Sequence, residues 1–124
     1  MQSKSFKRSK NLEIKKIAIF FNNKRGLKIT NYLKSKNYLV YNIITKKFIN
    51  KSILNSVKRE NTIFINNLNN KKLIFFLKKE KYDVVIIATN HSNLRKKLIL
   101  QNAKKIFDTR GVYKLIDSKK IINI

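Results

Sequence analysis

The chain has 124 residues, 43% of them hydrophobic and 29% charged, with Lys and Arg numbering 30 against 6 acids for a formal net charge of +24. That length suits one domain with one core, and that apolar share belongs to globular rather than disordered chains. Cysteine is absent, which excludes disulfides, thiolate metal sites and a cysteine nucleophile and fits a reducing compartment, while no apolar run approaches the roughly 20 residues that span a bilayer.

Residues 1–14 read as a basic arm and residues 15–124 as a single domain. The opening MQSKSFKRSK is basic and free of acids and lacks the apolar segment of a secretion signal. A cytoplasmic protein is the expectation. The same Ser-containing, acid-free composition also suits an organelle transit peptide, so the matrix of a mitochondrion or plastid is the alternative.

Residues 16–21 (KIAIFF) form an apolar run bounded by the polar stretch 22–26 (NNKRG), the pattern of a buried strand and a turn. Residues 27–37 place Leu27, Ile29, Thr30 and Leu33 near helical spacing, with Lys28, Lys34 and Lys36 elsewhere and Asn37 as the stop. Residues 38–45 (YLVYNIIT) are dense in β-branched and aromatic types and predict a second strand. Residues 46–60 carry Phe48, Ile49, Ile53, Leu54 and Val57 at spacings that fit one helix face.

Residues 62–65 (TIFI) predict a strand and residues 71–81 (KKLIFFLKKEK) a short helix. Residues 82–89 (YDVVIIAT) are a near-continuous β-branched run, as expected of a strand covered on both faces. Residues 94–103 resume a helical pattern, with Leu94, Leu98 and Ile99 inward, Arg95, Lys96 and Lys97 outward, and Ser92 or Asn93 as the cap. Residues 105–108 (KIFD) predict a further strand, and residues 120–124 a last short apolar piece. Strands alternating with helices predict an α/β fold, a Rossmann-like three-layer sandwich around a mostly parallel sheet.

In such sheets ligands bind beyond the carboxyl ends of the strands, so chemistry is sought in residues 22–26, 42–47, 90–93 and 109–113. NNKRG offers Lys24 and Arg25 at the start of a helix, whose free amides suit a phosphate. It is not the G-x-G-x-x-G of a dinucleotide site, because only Gly26 is present. The single histidine, His91, follows the strongest strand, beside Asn90. It has no neighbouring carboxylate for acid–base work and no second His or Cys for a metal, so no catalytic residue and no metal ligand is assigned. Asp108, Thr109, Arg110 and Gly111 gather an acid, a hydroxyl, a guanidinium and one of the chain's two glycines. Arg110 either grips an anion bidentately or pairs internally with Asp108.

The excess of cations has two readings. It suits a polyanionic partner such as RNA, and it also suits a very AT-rich coding sequence, given the abundance of Lys, Asn and Ile and the confinement of Arg to positions 8, 25, 59, 95 and 110.

Residues 83–113 (DVVIIATNHSNLRKKLILQNAKKIFDTRGVY) resemble the C-terminal domain of the UDP-glucose and GDP-mannose dehydrogenase family, above all its UDP-N-acetylhexosamine branch. Thr89, Asn90 and His91 resemble the family's Thr-Asp-His loop with Asn in place of Asp, and residues 108–111 its Asp-Thr-Arg strand end. KIAIFF, KITNYLKSKNYLVYN and KIINI are similar to further strands and a helix of that domain. The resemblance implies a Rossmann-like domain that holds the nucleotide part of a UDP-sugar through Lys24, Arg25, Asn90, His91, Asp108 and Arg110 and is not catalytic alone. In that family the NAD site and the catalytic Cys lie in an earlier domain, so NAD would enter only through a partner chain. The family's first loop carries a Lys, acids and an Arg before Ser-Pro, of which NNKRG keeps Lys24 and Arg25.

The expectation is therefore a UDP-sugar or other nucleotide as ligand and no membrane. The alternative is a basic RNA-binding structural protein, such as a divergent organellar ribosomal protein on rRNA, whose lysines neutralise phosphates without an RNP-type aromatic pair, a zinc knuckle or a Gly-x-x-Gly clamp.

Overall fold

The structure, a computed structural model, describes residues 16–45, 55, 61–65, 69–79, 82–90 and 94–123. The basic arm, nearly all of the helix predicted over 46–60, His91, and the expected caps Ser92 and Asn93 lie outside the described residues.

The chain runs β1 (Lys16–Phe21), α1 (Lys24–Ser35), β2 (Leu39–Ile44), β3 (Thr62–Phe64), α2 (Asn70–Lys79), β4 (Val84–Ile87), α3 (Lys96–Asn102), β5 (Ile106–Asp108) and β6 (Ile121–Asn123). The six strands form one sheet in the order β3-β2-β1-β4-β5-β6, and every neighbouring pair is parallel. This is the doubly wound Rossmann order, with the chain reversing direction across the sheet between β1 and β4.

Strand alternation sends the two faces of β1 into different cores. Ile17, Ile19 and Phe21 pack with Val40, Ile44, Val84 and Ile86 under Leu27, Ile29 and Leu33 of α1. Ala18 and Phe20 pack with Ile43, Val85 and Ile87 under Leu73 and Leu77 of α2, Leu94 and Ile99. All four residues of β4 are buried, as its unbroken apolar run requires of a strand with helices above and below. The result is three layers, with α1 on one face of the sheet and α2 and α3 on the other.

Helix α1 begins three residues before its apolar pattern does. Asn23 is extended, and its side-chain Oδ1 accepts the backbone N–H groups of Arg25 at 3.1 Å and Gly26 at 3.4 Å, so an asparagine cap converts part of the expected loop into helix. The predicted stop at Asn37 is present, with φ of 70°. The Asn37 N–H donates to the carbonyl of Lys34 and the Tyr38 N–H to that of Leu33, the paired bonds of a Schellman end, for which Asn tolerates the left-handed turn.

Gly26 sits inside the first turn of α1, where a Cβ would lie 2.1 Å from the Cβ of Phe21. The helix thus rests on β1 at a distance only glycine permits, the role of the third glycine in a G-x-G-x-x-G frame. In that frame Phe21 and Asn23 stand at the two preceding glycine positions.

Asn42 lies within β2, as the strand predicted over 38–45 implies, and is fully buried. Its Oδ1 accepts the Thr30 hydroxyl at 3.0 Å and its Nδ2 donates to the Thr62 hydroxyl at 3.4 Å, linking α1, β2 and β3. No described helix is long and apolar enough to cross a membrane.

Candidate functional site

The loops that follow β1, β3, β4 and β5 emerge at the carboxyl edge of the sheet, and the described side chains there fall into three groups.

The first lies at the start of α1. Lys24 and Arg25 are both exposed and belong to the helix on the sheet face away from α2 and α3. The Arg25 and Gly26 amides, which a phosphate on this helix would need, already donate to Asn23. With Phe21 and Asn23 at the first two glycine positions, this turn does not fit a dinucleotide pyrophosphate, which requires close backbone approach and free amides there.

The second is the turn after β5. Asp108 is 2% exposed, and its carboxylate accepts three backbone N–H groups: Arg110 at 3.1 Å and Val112 at 3.1 Å on Oδ1, and Tyr113 at 2.8 Å on Oδ2. Such charge-assisted bonds are roughly twice as strong as neutral ones. Gly111 takes φ of +69°, which closes the turn at no steric cost. The Thr109 hydroxyl donates to the Ile87 carbonyl at 2.8 Å, tying the ends of β5 and β4 together. The Asp108 carboxylate therefore meets the backbone amide of Arg110, while the Arg110 side chain is exposed. Tyr113 completes the turn. Its buried hydroxyl donates to the Lys96 carbonyl at 2.6 Å, and burial, followed by the nearby Asp108 charge, pushes its phenol well above the usual range.

The third group lines a cavity of about 620 Å³ among the ends of α2, α3 and the loops after β4 and β5: Asn90, Asn70, Gln101 and Val112 with the consecutive cations Arg95, Lys96 and Lys97. Ligand pockets of small molecules span roughly 300–1,000 Å³. Of the described residues proposed from the sequence to bind a ligand, Asn90 lines this cavity.

Arg95 departs from the sequence expectation. Read as outward-facing, it is instead partly buried. It precedes α3 in the left-handed region (φ 59°, ψ 50°) with no side-chain cap, a conformation that costs a non-glycine residue roughly 1–2 kcal/mol. Its Nη2 donates to the Ile65 carbonyl at 3.1 Å, bridging to the end of β3. Its Nη1 is buried and has no hydrogen-bond partner among the described residues. Helical periodicity could not find it, because the residue precedes the helix whose face it was assigned to. The one available signal was compositional: arginine in a chain that otherwise uses lysine.

Among the described residues no group of three or more His, Asp or Glu side chains could hold a metal ion. The geometry suits binding of an anionic, hydrogen-bonding ligand. Set against protein-family models, curated proteins and solved structures, the chain matches none of them.

Proposed function

We propose that this chain is a nucleotide-binding domain that takes UDP or a UDP-sugar and is not catalytic alone, any NAD chemistry belonging to a partner chain. The observation that carries the reading is the cavity beyond the carboxyl ends of β4 and β5, lined by Arg95, Lys96 and Lys97 with the amides of Asn70, Asn90 and Gln101. Three adjacent cations supply the countercharge of a diphosphate. The side-chain amides supply the donors and acceptors that a uracil or sugar uses, and Leu94, Leu98 and Val112 supply an apolar wall. The resemblance of residues 83–113 to the UDP-binding domain of UDP-sugar dehydrogenases points to the same ligand class. In this reading Asp108 holds the loop that carries Val112 to the cavity wall, and Arg110 stands beside it.

Isothermal titration of the full chain with UDP tests it. Heat that saturates at millimolar UDP or below is expected, and its absence for both UDP and UDP-sugars removes the reading.

A second reading is supported by the outer face of α1. Lys24, Lys28, Tyr32 and Lys36 recur every fourth residue and are exposed, Tyr32 by 63%, and the Lys36 ammonium lies 5.6 Å from the Tyr32 ring centroid. Such a stripe suits phosphates with an unstacked base on the aromatic ring, the chemistry of a structural RNA-binding protein. RNA binding that weakens steeply with salt supports it, and indifference to RNA at low salt removes it.

A further inference from the structure

One residue that lines the cavity, Arg95, has incomplete hydrogen bonding. The Arg95 guanidinium carries a full charge; its Nη2 is committed to the Ile65 carbonyl, and its Nη1 is buried without a partner among the described residues. A buried charged donor left unmet is costly, and native structures rarely keep one without a use. The backbone that presents it is itself strained into the left-handed region, and such strain persists where the surroundings hold a residue in place. The neighbouring Leu94, 2% exposed, anchors the chain just before the turn.

We propose that Arg95 is the anion anchor of the cavity, its side chain turning so that the free Nη1 donates to a phosphoryl oxygen of the bound nucleotide. This rests on the nucleotide reading above and assigns the phosphate to Arg95 rather than to Lys24, Arg25 or Arg110. Those three are exposed, so water and salt screen their charges. The Arg95 Nη1 is closed off from water, so a turn of the side chain into the cavity exchanges an unmet donor for a bond to the oxygen with little hydration to displace. Lys96 and Lys97, exposed on the same wall, add countercharge without fixing the geometry.

Calorimetric titration of the full chain with inorganic pyrophosphate, UDP and uridine, on the wild type and on Arg95→Gly, tests the assignment. Glycine adopts the left-handed turn without strain, so this variant removes the guanidinium while favouring the backbone. Arg95→Lys, which keeps the charge, serves as the second variant, and Lys104→Gln, at an exposed position outside the cavity, as the control.

Arg95→Gly is expected to bind pyrophosphate and UDP at least tenfold more weakly, with uridine unchanged, Arg95→Lys intermediate and Lys104→Gln like the wild type. Methylguanidinium in the buffer should restore part of the loss in Arg95→Gly, which a merely misshapen cavity would not show. Equal pyrophosphate affinity in wild type and Arg95→Gly, or no pyrophosphate binding by the wild type at millimolar concentration, overturns the proposal. Loss of pyrophosphate binding in Arg95→Gly when UDP gives no heat even with wild type leaves the anion anchor standing and removes the nucleotide. UDP binding of equal strength in wild type and Arg95→Gly does the reverse.

Discussion

Replacing Asp108 with Asn changes one atom and leaves the volume of the side chain nearly as it was. In the native turn the carboxylate accepts N–H groups on both oxygens, from Arg110 and Val112 on Oδ1 and from Tyr113 on Oδ2 at 2.8 Å. An asparagine can offer its carbonyl oxygen to the first two, but its NH2 group then faces the Tyr113 N–H, donor against donor. Flipping the amide leaves two amides unmet instead of one.

The loss has two parts. A buried N–H without an acceptor costs about 1–3 kcal/mol, and the two surviving bonds fall from charge-assisted to neutral strength, roughly 1 kcal/mol between them. We expect Asp108→Asn to destabilise the fold by about 2–4 kcal/mol, a large fraction of the 5–15 kcal/mol typical of a domain. In urea titrations followed by far-UV circular dichroism, with a slope of roughly 2 kcal/mol per molar, the midpoint should fall by about 1–2 M with the slope unchanged. A midpoint within about 0.3 M of wild type would refute the structural role of this carboxylate. If that stability came with a tenfold loss of UDP affinity, Asp108 would instead be a ligand residue.

Two further outcomes follow from the same packing. Gly26→Ala gains helix propensity worth about 1 kcal/mol, but its new Cβ would lie 2.1 Å from the Phe21 Cβ. That atom is fixed to the backbone of β1, so overpacking should prevail, and urea midpoints should show a net loss of about 1–3 kcal/mol; a stabilised variant would mean that α1 does not rest on β1 this closely. Tyr113→Phe should cost about 0.5–1.5 kcal/mol at pH 7, the worth of the hydroxyl's bond to the Lys96 carbonyl. Because the native phenol is pushed above its ordinary value of 10.0, the unfolded chain releases this proton first. Wild-type stability therefore carries a downward slope above about pH 10 that the variant lacks, and urea titrations at pH 7 and 10.5 should show the gap between them narrowing.

Much of the layout follows from composition and spacing alone. The β-branched run of β4 must be buried on both faces because it offers no polar side. The alternation of such runs with helical segments dictates a parallel sheet, since parallel neighbours need crossovers. The end of α1 is equally local, because the left-handed residue is the asparagine where the apolar pattern stops. Its start escapes periodicity, since capping by Asn23 depends on a side chain reaching two residues ahead.

The sequence directs attention to the loops at the carboxyl edge, and Asn90 lines a cavity there. What each side chain does there is decided by tertiary packing. Asp108 and Arg110 are two residues apart, which suggests a pair, yet the left-handed Gly111 folds the backbone around the carboxylate and leaves the guanidinium exposed. Arg95 follows a polar loop and precedes a helix, which suggests a surface cation, yet the buried Leu94 and the left-handed turn swing it across to the end of β3, 30 residues earlier in the chain. Local sequence determined the strands, the helices and the edge at which their loops meet. Only the tertiary structure decided which cation is desolvated there, because burial depends on residues far apart in the chain closing over the same space.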